Sequence, residues 1–178
     1  MNQAVLVIDV QRGPFAPEPR PFESELVLGR INAITTRARE SGVPVVFVHH
    51  ENAVDELEHG SANWQLEPSL VTAPSDVTLR KTTPDAFLRT DLSELLTKWN
   101  VTQLVICGYA TEFCVDTTTR RAMALGYAVV LASDAHTTHG KAHATGAQIR
   151  EHHNATLANI QSFGPRVITR PTSDIAFR

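Results

Sequence analysis

The chain has 178 residues, 42% hydrophobic and 20% charged, with nine Gly, ten Pro and two Cys. These are the proportions of one globular domain over residues 1–178 and exclude a disulfide scaffold, a collagen-like repeat or extended disorder. Sixteen basic against nineteen acidic residues give a net charge of −3, which leaves no basic footprint for nucleic acid or an anionic membrane and favours a small-molecule partner.

The opening MNQAVLVID lacks the basic start and small-residue cleavage site of a signal peptide, and no apolar run approaches the roughly 20 residues that span a bilayer. The expected location is the cytoplasm, where thiols stay reduced. Residues 4–8 form an unbroken apolar run, the pattern of a strand covered on both faces. Val27, Ile31, Ile34 and Ala38 then recur at helical spacing and stop before Gly42. Apolar runs at 43–48 and 77–79 predict the next two strands. Leu92, Leu95, Leu96 and Trp99 predict a helix entered through Asp91, with Glu94 at the spacing of a capping box. A strand at 104–107 leads to a helix over 115–125 that ends before Gly126. A strand at 128–132, a helix on Ile149, His153, Leu157 and Ile160, and a strand at 167–169 complete the series. Strand alternating with helix implies a three-layer α/β/α sandwich around a mostly parallel sheet of about six strands. The polar stretches 12–21 and 51–76 read as long loops of the kind that form lids.

Ligands of such a sheet sit beyond the carboxyl ends of its strands, and three polar residues fall there. Asp9 closes the first strand, where an acidic turn former is the plain alternative. Lys81 ends the third strand; a solvated lysine is the ordinary reading, although the chain has only three lysines against thirteen arginines. Cys114 lies between the turn that starts at Gly108 and the helix that follows. At a helix N-terminus, unpaired amides and the positive end of the dipole favour thiolate over thiol, and a nearby lysine would act in the same direction. Cys107, inside a strand, reads as a small buried apolar group. The Gly108 turn can also converge backbone amides beside the sulfur as an oxyanion hole. Base, cation and nucleophile would then come from the same end of three strands.

LVIDVQ at 6–11, RKTTPDAF at 80–87, LVICGYATEFCVDTTTRRAMALGY at 104–127, the SDAHTT that follows and HHNATL at 152–157 together resemble the isochorismatase-like cysteine hydrolases, the superfamily that contains nicotinamidases. The resemblance implies a catalytic triad of Asp9, Lys81 and Cys114, a non-proline cis peptide between Tyr109 and Ala110, and an oxyanion hole built from the amides of Ala110 and Cys114. It implies a homo-oligomer, a dimer or tetramer. The implied reaction is hydrolysis of a non-peptide carbon–nitrogen bond in a small amide: Asp9 takes the thiol proton, Lys81 stabilises the thiolate, and a thioester forms and is hydrolysed. Coupled Asp9 and Cys114 protons would give a broad pH optimum near neutrality. Two alternatives use the same residues or fold: a thiol redox or sensor protein cycling Cys114, and a vinyl ether hydrolase of the isochorismatase type.

Nicotinamidases of this superfamily carry an Asp-x-His pair and a further histidine that hold a metal. Here residues 48–52 read Val-His-His-Glu-Asn. His49, Glu51 and His59 have loose spacing for a metal site, so neither metal nor other cofactor is expected. Candidate pocket residues are Phe15, His50, Trp64, Phe87 and Tyr109, with Phe113 beside them; each aromatic reads equally as a core or loop anchor. His136, His139, His143, His152 and His153, with Arg120 and Arg121, read as surface, capping or subunit-contact residues. Substrate preference is expected from residues 51–76 and Tyr109.

Overall fold

The computed structural model describes residues 2–54 and 57–177. Strands β1 (Gln3–Ile8), β2 (Val45–His50), β3 (Val77–Lys81), β4 (Gln103–Tyr109), β5 (Ala128–Thr137) and β6 (Val167–Arg170) form one sheet in the order β3-β2-β1-β4-β5-β6. Every neighbouring pair is parallel. All six residues of β1 are buried, which is why its sequence is continuously apolar rather than alternating.

Alternate residues of the strands feed two apolar layers. Leu6, Ile8, Val46, Val48, Leu104 and Ile106 pack on one side with Leu92 and Leu96 of α3 (Leu92–Lys98), Ala122 and Met123 of α4 (Asp116–Ala124) and Leu157 of α5 (Gly146–Asn159). On the other side Val5, Val7, Phe47, Val105 and Cys107 meet Val27, Ile31, Ile34 and Ala38 of α2 (Ser24–Glu40). Cys107 is thus a core residue, and burial raises its thiol pKa to about 12. Helix and strand alternate as the apolar periodicity predicts, except between β2 and β3, where no helix lies among the described residues; an additional four-residue helix α1 (Arg12–Phe15) lies in the first polar loop.

Three boundaries differ from expectation. β5 continues to Thr137, five residues past the predicted end, because Ala135, His136 and Thr137 are buried beside β4 after a register shift between Ile106 and Gly108. The helical segment carrying Cys114 begins earlier, as a π-helical turn over Thr111–Val115 that runs into α4. Asp91 makes no capping hydrogen bond: its backbone at φ −86°, ψ 11° is not the extended geometry that turns an N-cap side chain back onto the helix amides. Thr90 Oγ1 instead accepts from the Leu92 amide at 3.3 Å. The reciprocal capping box of this chain is at Thr145 and Gln148, opening α5.

The strand order reverses between β1 and β4, so the chains leaving their carboxyl ends diverge and open a crevice there. Gly108 allows that divergence: its φ is +119°, and a Cβ would lie 2.2 Å from the Ile8 carbonyl oxygen. No helix among the described residues is long and apolar enough to cross a membrane.

Candidate active site

Asp9 leaves β1 in the left-handed region, φ +50°, with its amide bonded to the Val48 carbonyl at 2.9 Å. Aspartate accepts this conformation better than most residues, and it turns the carboxylate into the crevice. Lys81 ends β3, two strands from β1 and hence roughly 10 Å away laterally. Its long stem passes across the end of β2 and brings Nζ to 2.7 Å from Asp9 Oδ2, 3.3 Å from Cys114 Sγ and 3.1 Å from His50 Nδ1. The Lys81 side chain has 0% exposure, so each ammonium proton meets an acceptor, as a buried charge requires. The other carboxylate oxygen, Asp9 Oδ1, is buried and takes no well-formed hydrogen bond.

The sequence favours a thiolate here; the surroundings of the sulfur oppose it. Burial first, and the Asp9 carboxylate second, push the Cys114 pKa up to about 12, against a smaller lowering by Lys81. The expectation followed the helix terminus and the lysine but left out desolvation and the pairing of that lysine with Asp9.

A carboxylate oxygen of Asp9, a ring nitrogen of His50 and Cys114 Sγ lie within 4.8 Å of one another, close enough to ligate a metal. Lys81 Nζ, at most 3.3 Å from all three residues, is already the cation among them. His49, Glu51 and His59 do not converge as ligands among the described residues. Glu51 is instead clamped by Arg80 at 2.7 and 2.9 Å, and His49 and His59 stack edge-on against Trp64 at 4.5 and 4.7 Å.

Asp9, His50 and Cys114 open onto a cavity of about 350 Å³, walled by Pro14, Leu57, Tyr109, Ala110 and Phe113. The Tyr109–Ala110 peptide is cis. Tyr109 donates its hydroxyl proton to, or accepts one from, His139 Nδ1 at 2.8 Å and rests edge-on against Phe15 at 5.7 Å. Three expected pocket residues are elsewhere. Phe15 is fully buried behind Tyr109; Trp64 lies between its two histidines, beside a separate cavity; Phe87 is in the core, stacked on Tyr127 at 5.9 Å. Each is apolar enough to be drawn into packing, which the sequence could not distinguish from lining. Of the 51–76 loop, Leu57 reaches the cavity, while residues 55 and 56 lie outside the described residues.

Two roles were not legible beforehand. Gln11 is fully buried and clamps His50 from both sides, its Nε2 donating to the His50 carbonyl and its Oε1 accepting from the His50 amide, both at 2.9 Å. Its place in LVIDVQ was the available signal. His136, expected as a surface, capping or subunit-contact residue, is buried at 0% exposure and bridges Thr111 Oγ1 and Asn154 Oδ1, both at 2.9 Å. It thereby ties the start of the Cys114 turn to α5. Arg120 and Arg121 pair with Asp116 and Asp85 on the surface side of α4.

The family model described as the isochorismatase domain matches residues 3–171. Streptothricin hydrolase of Streptomyces noursei is 36% identical over 138 residues, which cover 77% of this chain and 50% of that protein. The chain therefore spans about half the length of this curated relative. Nicotinamidase 3 of Arabidopsis thaliana is 30% identical, with 90% of this chain and 81% of the relative covered. A crystal structure of an isochorismatase family protein superposes with a TM-score of 0.87 at 39% identity, covering 95% of this chain and 98% of its own.

Proposed function

The chain belongs to the isochorismatase family, and from that premise we propose that it is a cysteine hydrolase, cleaving the carbon–nitrogen bond of a small amide through a thioester on Cys114. The observation that carries the reading is one buried ammonium in contact with both a carboxylate and a thiol: Lys81 Nζ with Asp9 Oδ2 and Cys114 Sγ. The relatives named for streptothricin and nicotinamide hydrolysis support an amide as substrate.

A neutral thiol beside an ionised carboxylate is a coherent resting state. As Sγ bonds to the substrate carbonyl carbon, its proton passes to Asp9, whose Oδ1 has capacity to accept it. Lys81 remains charged throughout and offsets the negative charge that moves onto sulfur. The carbonyl oxygen becomes an oxyanion facing the amides of Ala110 and Cys114. Asp9 then returns its proton to the substrate nitrogen, the C–N bond breaks, and ammonia or an amine leaves. Water gives a proton to Asp9 while its oxygen attacks the thioester carbon; the C–S bond breaks and the departing sulfur recovers that proton. The products are a carboxylic acid and the restored thiol.

The cavity, about 350 Å³, holds roughly a dozen heavy atoms at the ~30 Å³ that a water molecule occupies. Its described walls carry no lysine or arginine side chain, and the polar ends of Gln11, His50 and Tyr109 are already committed. This supports an uncharged acyl group no larger than one ring. The redox reading has less support, since the second thiol, Cys107, is sealed in the core.

A panel of small primary amides assayed for ammonia is expected to give turnover that Cys114→Ala and prior treatment with iodoacetamide both abolish. Turnover retained by Cys114→Ala would overturn the covalent route, and peroxide consumption without any amide turnover would favour the redox alternative.

A further inference from the structure

We propose that His50 is a positioning residue for the Asp9, Lys81 and Cys114 set: its Nδ1 takes the third proton of the Lys81 ammonium and thereby keeps Lys81 off Asp9 Oδ1. This rests on the hydrolase reading above and assigns His50, which the sequence suggested as a pocket residue, a different task.

His50 is placed from two directions. Gln11 holds both its backbone amide and its carbonyl at 2.9 Å, fixing the last residue of β2 against the chain that leaves β1. Its ring Nε2 lies 3.1 Å from Asn52 Oδ1, which can only accept, so the proton is on Nε2 and Nδ1 presents a lone pair. That lone pair faces Lys81 Nζ at 3.1 Å. Protonation of the ring is opposed by burial and by Lys81 itself, which favours the same tautomer.

The consequence lies with the geometry of the ammonium. It has three protons and three acceptors: Asp9 Oδ2, Cys114 Sγ and His50 Nδ1. Asp9 Oδ1 is buried, ionisable and without a well-formed bond. If the His50 acceptor is removed, the third proton has one strong acceptor within the same group, and Lys81 can rotate to chelate both Asp9 oxygens. Asp9 would then lose the oxygen that accepts the thiol proton. His50 thus acts on the reaction only through Lys81.

Two substitutions separate this role from mere packing. His50→Leu keeps bulk and removes the acceptor; His50→Asn puts an amide oxygen close to the place of Nδ1. Two readouts apply to the full chain. In the first, the rate at which iodoacetamide alkylates Cys114 at pH 7.5 is measured by mass spectrometry, which needs no substrate. His50→Leu is expected to be at least tenfold slower than wild type, with His50→Asn within about threefold of it. In the second, for any amide that the wild type hydrolyses, His50→Leu lowers kcat by at least tenfold with KM changed less than threefold, and His50→Asn restores most of kcat. Melting curves establish that each variant is folded. Equal alkylation by His50→Leu and wild type, or His50→Asn as impaired as a folded His50→Leu, would overturn the assignment. A wild type that hydrolyses no amide yet shows the alkylation pattern would instead count against the hydrolase reading and leave the His50 assignment standing.

Discussion

At the scale of single residues, the Asp9–Lys81 pair is a structural as well as a chemical feature. The two side chains are 6% and 0% exposed, 2.7 Å apart, and neither charge is tolerated alone in that setting. Lys81→Met is expected to lower stability to urea by roughly 3–5 kcal/mol, the usual consequence of stranding one buried charge. Adding Asp9→Leu should recover part of that loss, and an unchanged urea midpoint in Lys81→Met would mean that the pair is effectively solvated. His136 makes a pH-dependent contribution. Burial holds its pKa at about 4, below the ordinary value of 6.5. Between those two values the unfolded chain binds the proton and the folded chain does not, so stability falls as pH drops from 6.5 toward 4 and is fully present above 6.5. The difference of about 2.5 units corresponds to roughly 3 kcal/mol by pH 4. His49, also held at about 4 by burial, adds in the same direction. Urea midpoints measured from pH 7.5 to 4.5 should fall less steeply for His136→Gln than for wild type; parallel curves would show that His136 does not carry the dependence. Of these residues Asp9, Lys81 and Cys114 were legible from their positions at strand ends. His136 was not, because a histidine in a polar run carries no sign of burial.

Elements show the same division between local signal and context. Two positions satisfy the sequence pattern of a helix cap, and only one caps. Thr145 Oγ1 accepts from the Gln148 amide at 3.2 Å while Gln148 Oε1 accepts from the Thr145 amide at 2.9 Å. Asp91 makes no such bond. Thr145→Ala should therefore cost about 1 kcal/mol in urea denaturation and Asp91→Ala only a few tenths; similar losses for the two would contradict the cap assignment. Gly108 is constrained more severely. A methyl there would lie 2.2 Å from Ile8 O and 2.6 Å from Ile8 N, backbone atoms that cannot move aside without breaking β1. With φ at +119° as well, Gly108→Ala should be insoluble or lose several kcal/mol. A soluble variant melting within a few degrees of wild type would mean that β1 and β4 can separate at that point.

For the whole molecule, the sheet order sets where chemistry can occur. The reversal between β1 and β4 opens the crevice, and β3, two places along, still reaches it because lysine is long enough to cross the end of β2. Asp9, His50 and Lys81 thus sit on, or just after, the carboxyl ends of neighbouring strands of one hydrogen-bonded sheet, so these groups are held in place before substrate arrives. Self-association, which the family resemblance implies, belongs to this scale too. Light scattering is expected to give two or four times the 19.5 kDa chain mass; the mass of a single chain would overturn that expectation.

Unbroken apolar runs, helical spacing and the residues at strand ends were enough to determine the layered α/β fold and to single out Asp9, Lys81 and Cys114, because periodicity and position relative to a strand end are local properties. The desolvation of Cys114, the inward placement of His136, the partnering of Lys81 by His50 and the retreat of Phe15, Trp64 and Phe87 from the cavity were decided only when distant segments packed together. Each depends on desolvation or on a contact between residues many positions apart, and the order of residues along a chain does not encode the distance between them.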